Sequence, residues 1–124
     1  MVLAADAPTA LRGRVATTVA GGYARRGCTV VELPLADASG VEGVAGAAVL
    51  AAELGAIECV ADDDLSGAAQ AVRLLAAAGW EVSLLAPASS MGEAHRLLRG
   101  VPVRLQPWWL GPDDVVCFGA PEVP

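Results

Sequence analysis

Three consecutive aspartates, Asp62, Asp63 and Asp64, separate the apolar run "IECVA" from "LSGAAQAVRLLAAAG", and a fourth, Asp6, closes the short run "MVLAAD". Carboxylates at neighbouring strand ends can hold Mg²⁺, which takes one or two of them and keeps several waters. Asp6, Asp62 and Asp64 are the metal-ligand candidates on that reading, with Glu42 nearby. The same residue types serve a second purpose. Acidic side chains in the first turn of a helix are favoured by its dipole, each by ~0.3–1 kcal/mol. Metal ligand and helix cap are both consistent with the spacing.

Phosphate chemistry is poorly served. A dinucleotide cradle needs glycines that let backbone N–H groups approach the pyrophosphate at a helix N-terminus. No GxGxxG or Walker-type run occurs, and after the aspartates only Gly67 is placed to help. Three carboxylates at that turn would repel a pyrophosphate. Nucleophilic catalysis has no better footing: Ser89 and Ser90 precede His95 at a spacing that makes no triad, and "APASSMG" is not a nucleophile elbow. Cys28, Cys59 and Cys117 form no CxxC pair and sit in strand-like runs, which suits buried thiols.

The elements that must position these groups alternate along the chain. A strand is expected at 2–6 and a helix from Pro8, with Leu11, Val15, Thr18, Val19 and Gly22 on one face and a stop at Gly27. "CTVVELPL" reads as a strand, "SGVEGVAGAAVLAAELG" as a helix, "AIECVAD" as a strand and 65–78 as a helix closed by Gly79. "WEVSLLAP" is a strand, "SMGEAHRLLRG" a short helix, and "VPVRLQP" and "DDVVCFGA" the last strands. Ser39 with Glu42, and Ser90 with Glu93, have the Ser-x-x-Glu spacing of a capping box. A weak internal repeat sets Asp6 and Asp62–Asp64 at equivalent strand ends. Strand and helix alternating through short loops give a single α/β domain over 1–124: a doubly wound, mainly parallel sheet, Rossmann-like or flavodoxin-like, in a three-layer sandwich. Ligands of such sheets bind at the carboxyl ends of the strands. The ligand-edge candidates are therefore Asp6, Asp63, Ser66, Gly67, Ser89 and Ser90.

Composition narrows the partners. The chain has 124 residues, 55% hydrophobic but 4% aromatic, with a net charge of −6. All eight basic residues are Arg, a pattern of GC-rich coding that points to a bacterial source. An acidic chain lacks the basic surface that sequence-independent nucleic-acid binding needs. Its longest weakly charged run contains Glu42, Glu53 and Glu58 and falls short of the ~20 apolar residues of a spanning helix. No basic-then-apolar leader opens the chain, so a cytoplasmic address is expected. The surplus hydrophobicity fits strands buried on both faces plus a surface that meets a larger subunit or a second copy. Trp108 and Trp109 are the interface candidates. Adjacent side chains on an extended segment point opposite ways, so one small core does not easily take both.

Two family resemblances follow from these runs. "ECVADDDLSGAAQAVRLLAAAGWEVSLLAPASS" resembles the C-terminal half of NYN-type PIN-like nucleases, in which an Asp-x-Asp ends a strand and starts a helix. It implies a small Mg²⁺-dependent nuclease using Asp6, Asp62 and Asp64, with Glu42 as the acidic helix residue. The chain departs from that pattern in having Ala7 and Pro8 where an Asn usually follows the first aspartate, and Leu65 where an aromatic follows Asp-x-Asp. Residues 57–124, with "VADDDLSGAAQAVRLLAAAGWEVSLLAPASSMGE", "LLRGVPVRL" and "DDVVCFGAPEVP", are similar to the C-terminal nucleotide-binding-like domain of old yellow enzyme-type flavoproteins of the trimethylamine dehydrogenase and dienoyl-CoA reductase kind. No flavin-anchoring or iron–sulphur cysteine pattern accompanies it. That resemblance implies a non-catalytic small subunit or accessory domain that docks to a larger partner, such as a flavin-dependent oxidoreductase. No cofactor is implied beyond Mg²⁺ in the nuclease reading.

Overall fold

Glycine stops and apolar alternation divide residues 3–61 and 65–124, which the computed structural model describes, into helices and strands. Helix α1, Leu3–Arg25, is followed by β1 (Val30–Pro34), α2 (Leu35–Ser39), β2 (Ala47–Ala51) and β3 (Ala56–Val60). Then come α3 (Leu65–Ala77), β4 (Glu81–Pro87), α4 (Met91–Leu97), β5 (Arg104–Leu110) and β6 (Val116–Phe118). The six strands form one sheet in the order β1-β2-β3-β4-β5-β6. The ladders β3–β4 and β4–β5 are parallel; β1–β2, β2–β3 and β5–β6 are antiparallel. Hence β1, β3, β4 and β5 point one way, and β2 and β6 return.

Successive βαβ units that step the same way along a sheet, with one hand of crossover, leave their helices on the same face. Accordingly α3 and α4 share a face, joined by α2. Leu35, Leu65, Ala68, Val72, Leu75, Met91, Ala94 and Leu98 pack there on Ala48, Ile57, Cys59, Val82, Leu84 and Leu105. The opposite face is covered, among the described residues, by α1, whose Leu11, Val15, Ala16, Val19, Ala20 and Tyr23 form a helical stripe over Val49, Val60, Leu85 and Trp108. The result is the three-layer α/β sandwich expected from the alternation. Burial of a single Leu or Val at these sites stabilises the fold by ~1.5–3 kcal/mol.

Both glycine stops act as read. At the end of α1, the Gly27 N–H bonds to the Ala24 carbonyl and the Cys28 N–H to that of Tyr23; at the end of α3, Gly79 bonds to Ala76 and Trp80 to Leu75. With φ of 85° and 100° at the two glycines, both are Schellman closures that satisfy carbonyls the helix leaves open.

Several elements differ from expectation, among them α2, which begins at Leu35 where a strand was expected to continue. The run at 2–6, expected as a strand, falls within α1 from Leu3 onward, so Asp6 lies in a helix and not at a strand end. An apolar run of five cannot be assigned by periodicity, and nothing between it and Pro8 signals a turn. Residues 39–55, expected as one helix, are instead a glycine-rich loop, the strand β2 and a short 3-10 turn at Ala52–Leu54. Gly40, Gly43 and Gly46 all have positive φ, which breaks the helix. The Ala-rich segment beyond them is held as strand by ladders on both sides, tertiary pairing overriding propensity. Finally, β5 runs through Trp108 and Trp109, beyond the 107 expected as its end.

Neither capping box forms. Ser39 closes α2, its hydroxyl donating to the Leu35 carbonyl (2.7 Å) and accepting from the Val41 N–H (3.2 Å). Ser90 makes no capping hydrogen bond to α4, and Glu93 pairs with Arg96 at 3.4 Å.

The loop into β2 passes close to its neighbours. A Cβ on Gly46, at φ 140°, would lie 2.9 Å from Leu35 Cδ2 and 3.0 Å from the Val60 carbonyl oxygen. Gly46→Ala is therefore expected to destabilise the fold by ~1–3 kcal/mol. Urea unfolding checks this; an unchanged midpoint would refute that close approach.

Candidate functional site

The carboxyl edge of the parallel strands is where the sequence places a ligand. Asp62, Asp63 and Asp64 lie outside the described residues. Ser66 and Gly67 open α3 there, and Ser89 and Ser90 follow β4 in a 3-10 turn. Gly67 has a packing role of its own. A Cβ on it would stand 2.9 Å from Val44 Cγ2, so its missing side chain makes room for the loop that enters β2. Asp6, in α1, does not join these residues as a strand-end partner. Among the described residues, no group of three or more His, Cys, Asp or Glu is arranged to hold a metal ion.

The tryptophans separate as extended geometry requires. Trp108 is buried against α1, so it is a core residue and not a docking one. Its indole nitrogen is buried without a partner among the described residues. Trp109 points to the other face and is 42% exposed. Around it the β5–β6 hairpin also exposes Leu110 (40%) and Val115 (57%). The hairpin tip is fixed in place: the Gly111 N–H bonds to the Val115 carbonyl at 2.8 Å, and the Arg14 side chain of α1 donates to the Asp114 carbonyl.

A second constellation lies under the C-terminal end of α1, where no candidate residue was expected. The ladder registers align Glu58 of β3 with Ser83 of β4, and Ser83 with Arg104 of β5, a polar rung across three parallel strands. All of these strands are otherwise largely apolar, and Ser83 is itself buried. Tyr23 donates its hydroxyl to Glu58 Oε1 at 2.7 Å. The other carboxylate oxygen, Oε2, is buried and finds no donor among the described residues. An unsatisfied buried polar atom costs ~1–3 kcal/mol, and more when charged. The rung lines a pocket of about 230 Å³ with Tyr23, Arg26, Gln106 and Pro121. Arg26 stacks over the Tyr23 ring at 4.4 Å, and Gln106 donates to the Gly119 carbonyl at 2.9 Å.

This environment shifts Tyr23. Burial first, then the hydrogen bond to Glu58 and its negative charge, push the phenol from 10.0 up to about 12, with Arg26 opposing. Cys59, the next residue on β3, faces the other layer, and burial pushes its thiol up to about 12. It is a core group. The signal for the pocket was in the chain all along: Glu58 is the one charged residue of "AIECV". What it could not show is the register that sets Ser83 and Arg104 beside it.

The chain holds a single tyrosine, so its ultraviolet absorbance reports this site alone. The folded protein is expected to titrate near 12, and Glu58→Gln to titrate lower while staying above 10.0, because burial persists. A raised phenol pKa stabilises the fold fully below the unfolded value near 10, and that contribution is lost as pH rises through about 12. An identical midpoint in the parent and the variant would break the Tyr23–Glu58 link. In comparison with known proteins, the chain matches no protein-family model, no curated protein and no solved structure, so the reading of its surfaces rests on their geometry.

Proposed function

We propose that the chain is a non-catalytic α/β accessory subunit that docks to a larger protein through the outer end of the β5–β6 hairpin. One observation carries this: Trp109 and Val115 stay exposed on a hairpin that Arg14 pins to α1. Exposed apolar side chains on a fixed hairpin suit an interaction surface, and Trp is enriched where binding energy concentrates. A rigid display also lowers the entropy lost on association. A flavin-dependent oxidoreductase as the partner is what the resemblance of residues 57–124 adds. Among the described residues no helix is long and apolar enough to cross a membrane.

For the nuclease reading, Asp6 lies in a helix and not at a strand end, and Asp62 and Asp64 lie outside the described residues.

The test is the mass of the native assembly. Isolated from its own cells without overexpression, the chain is expected to elute with a larger protein in fixed stoichiometry, and a flavin absorbance band in that complex would support the oxidoreductase partner. Trp109→Ser combined with Val115→Ser should release the chain as a monomer with an unchanged melting temperature. A parent chain that runs bare and monomeric at every concentration overturns the proposal, and a homodimer replaces the larger partner with a second copy.

A further inference from the structure

We infer that the Glu58 pocket is a binding site for a small amino-carboxylate of free amino-acid size. The inference is independent of the hairpin. Glu58 lines the pocket and has Tyr23 as its one hydrogen-bond donor among the described residues, so its carboxylate favours an N–H group, best a cationic one. Its wall carries two arginines: Arg26, held over the Tyr23 ring, and Arg104 at the start of β5. Neither takes part in a salt bridge among the described residues, and guanidinium groups match carboxylates in a two-pronged geometry. Ser83, buried between Glu58 and Arg104 in the rung, can donate to one end of a ligand or accept from the other.

The charges select the ligand. One glutamate and two arginines sum to +1, which favours a molecule with one ammonium and one or two carboxylates. Size narrows it further. At about 230 Å³ the pocket is smaller than the roughly 300–1,000 Å³ of sites for drug-sized ligands, which suits a molecule of amino-acid size. Tyr23 holds the first carboxylate oxygen at 2.7 Å, and its raised pKa keeps it a donor there, so Glu58 is oriented before any ligand arrives.

The twenty proteinogenic L-amino acids, offered singly in excess, are the probe, with the melting temperature of the full chain and calorimetric titration as readouts. At least one free amino acid is expected to raise the melting temperature saturably. Its N-acetyl form, which lacks the ammonium, and its amide, which lacks the carboxylate, should both act more weakly. Tight binding of the amide alone would instead identify the N-terminus of a peptide as the ligand, and would overturn the free amino-carboxylate. Arg104→Met, at an exposed position, should keep the parent fold and lose the shift. Glu58→Gln should weaken binding at least about tenfold, as expected for the loss of one charge-assisted hydrogen bond. No shift with any of the twenty, or a shift unchanged in Arg104→Met, overturns the inference.

Discussion

Strand β3 has a partner strand on each edge and a helical layer over each face, and the rest of the molecule is arranged around that enclosure. A strand so placed has no direction in which to expose a side chain. Ala56, Ile57, Cys59 and Val60 obey; Glu58 does not. A carboxylate there must be hydrogen-bonded, because stripping it of water without a partner is among the more expensive things a fold can do. Tyr23 of α1 supplies one bond, so the same side chain that seals the thin outer layer also answers the charge in the sheet.

That arrangement depends on α1 being long and single-faced. Among the described residues it covers its side of the sheet, whereas three helices share the other side. Its stripe runs through Leu11, Val15 and Val19 to Tyr23, beside the Glu58 rung, while Arg14 reaches the turn of the β5–β6 hairpin. One helix thus fixes both surfaces given a role here, the polar pocket at its carboxyl end and the apolar hairpin near its middle. The opposite layer achieves closeness differently, with small residues. Ala68, Ala69 and Ala71 let α3 sit down on the sheet, and Gly67 admits Val44 from the neighbouring loop.

The loops show how local rules and tertiary demands divide the work. Gly27 and Gly79 could be read as helix stops because a Schellman closure needs a residue at positive φ within its own few residues. Ser39 and Ser90 show the limit of the same local rule. Their spacing to a glutamate is that of a capping box, but each lies where the backbone does not begin a helix that its hydroxyl can cap. The Trp pair was read correctly in one respect: adjacent residues on a strand must face opposite ways. Which tryptophan went inside was set by the layer that α1 provides.

By itself, the sequence determined the α/β class, the helix at Leu65–Ala77, the strands on either side of it, and the glycine closures, because each rests on interactions within about a dozen residues. It also required one of Trp108 and Trp109 to turn outward. Only the tertiary structure decided that "AAVLA" is a strand, since alanine follows whatever backbone its neighbours impose, and two flanking ladders impose extension. Only it placed Asp6 in a helix, and only it brought Glu58, Ser83 and Arg104 into one rung. Strand register is a property of the assembled sheet, fixed by how the apolar faces on both sides are buried, and no single strand encodes it.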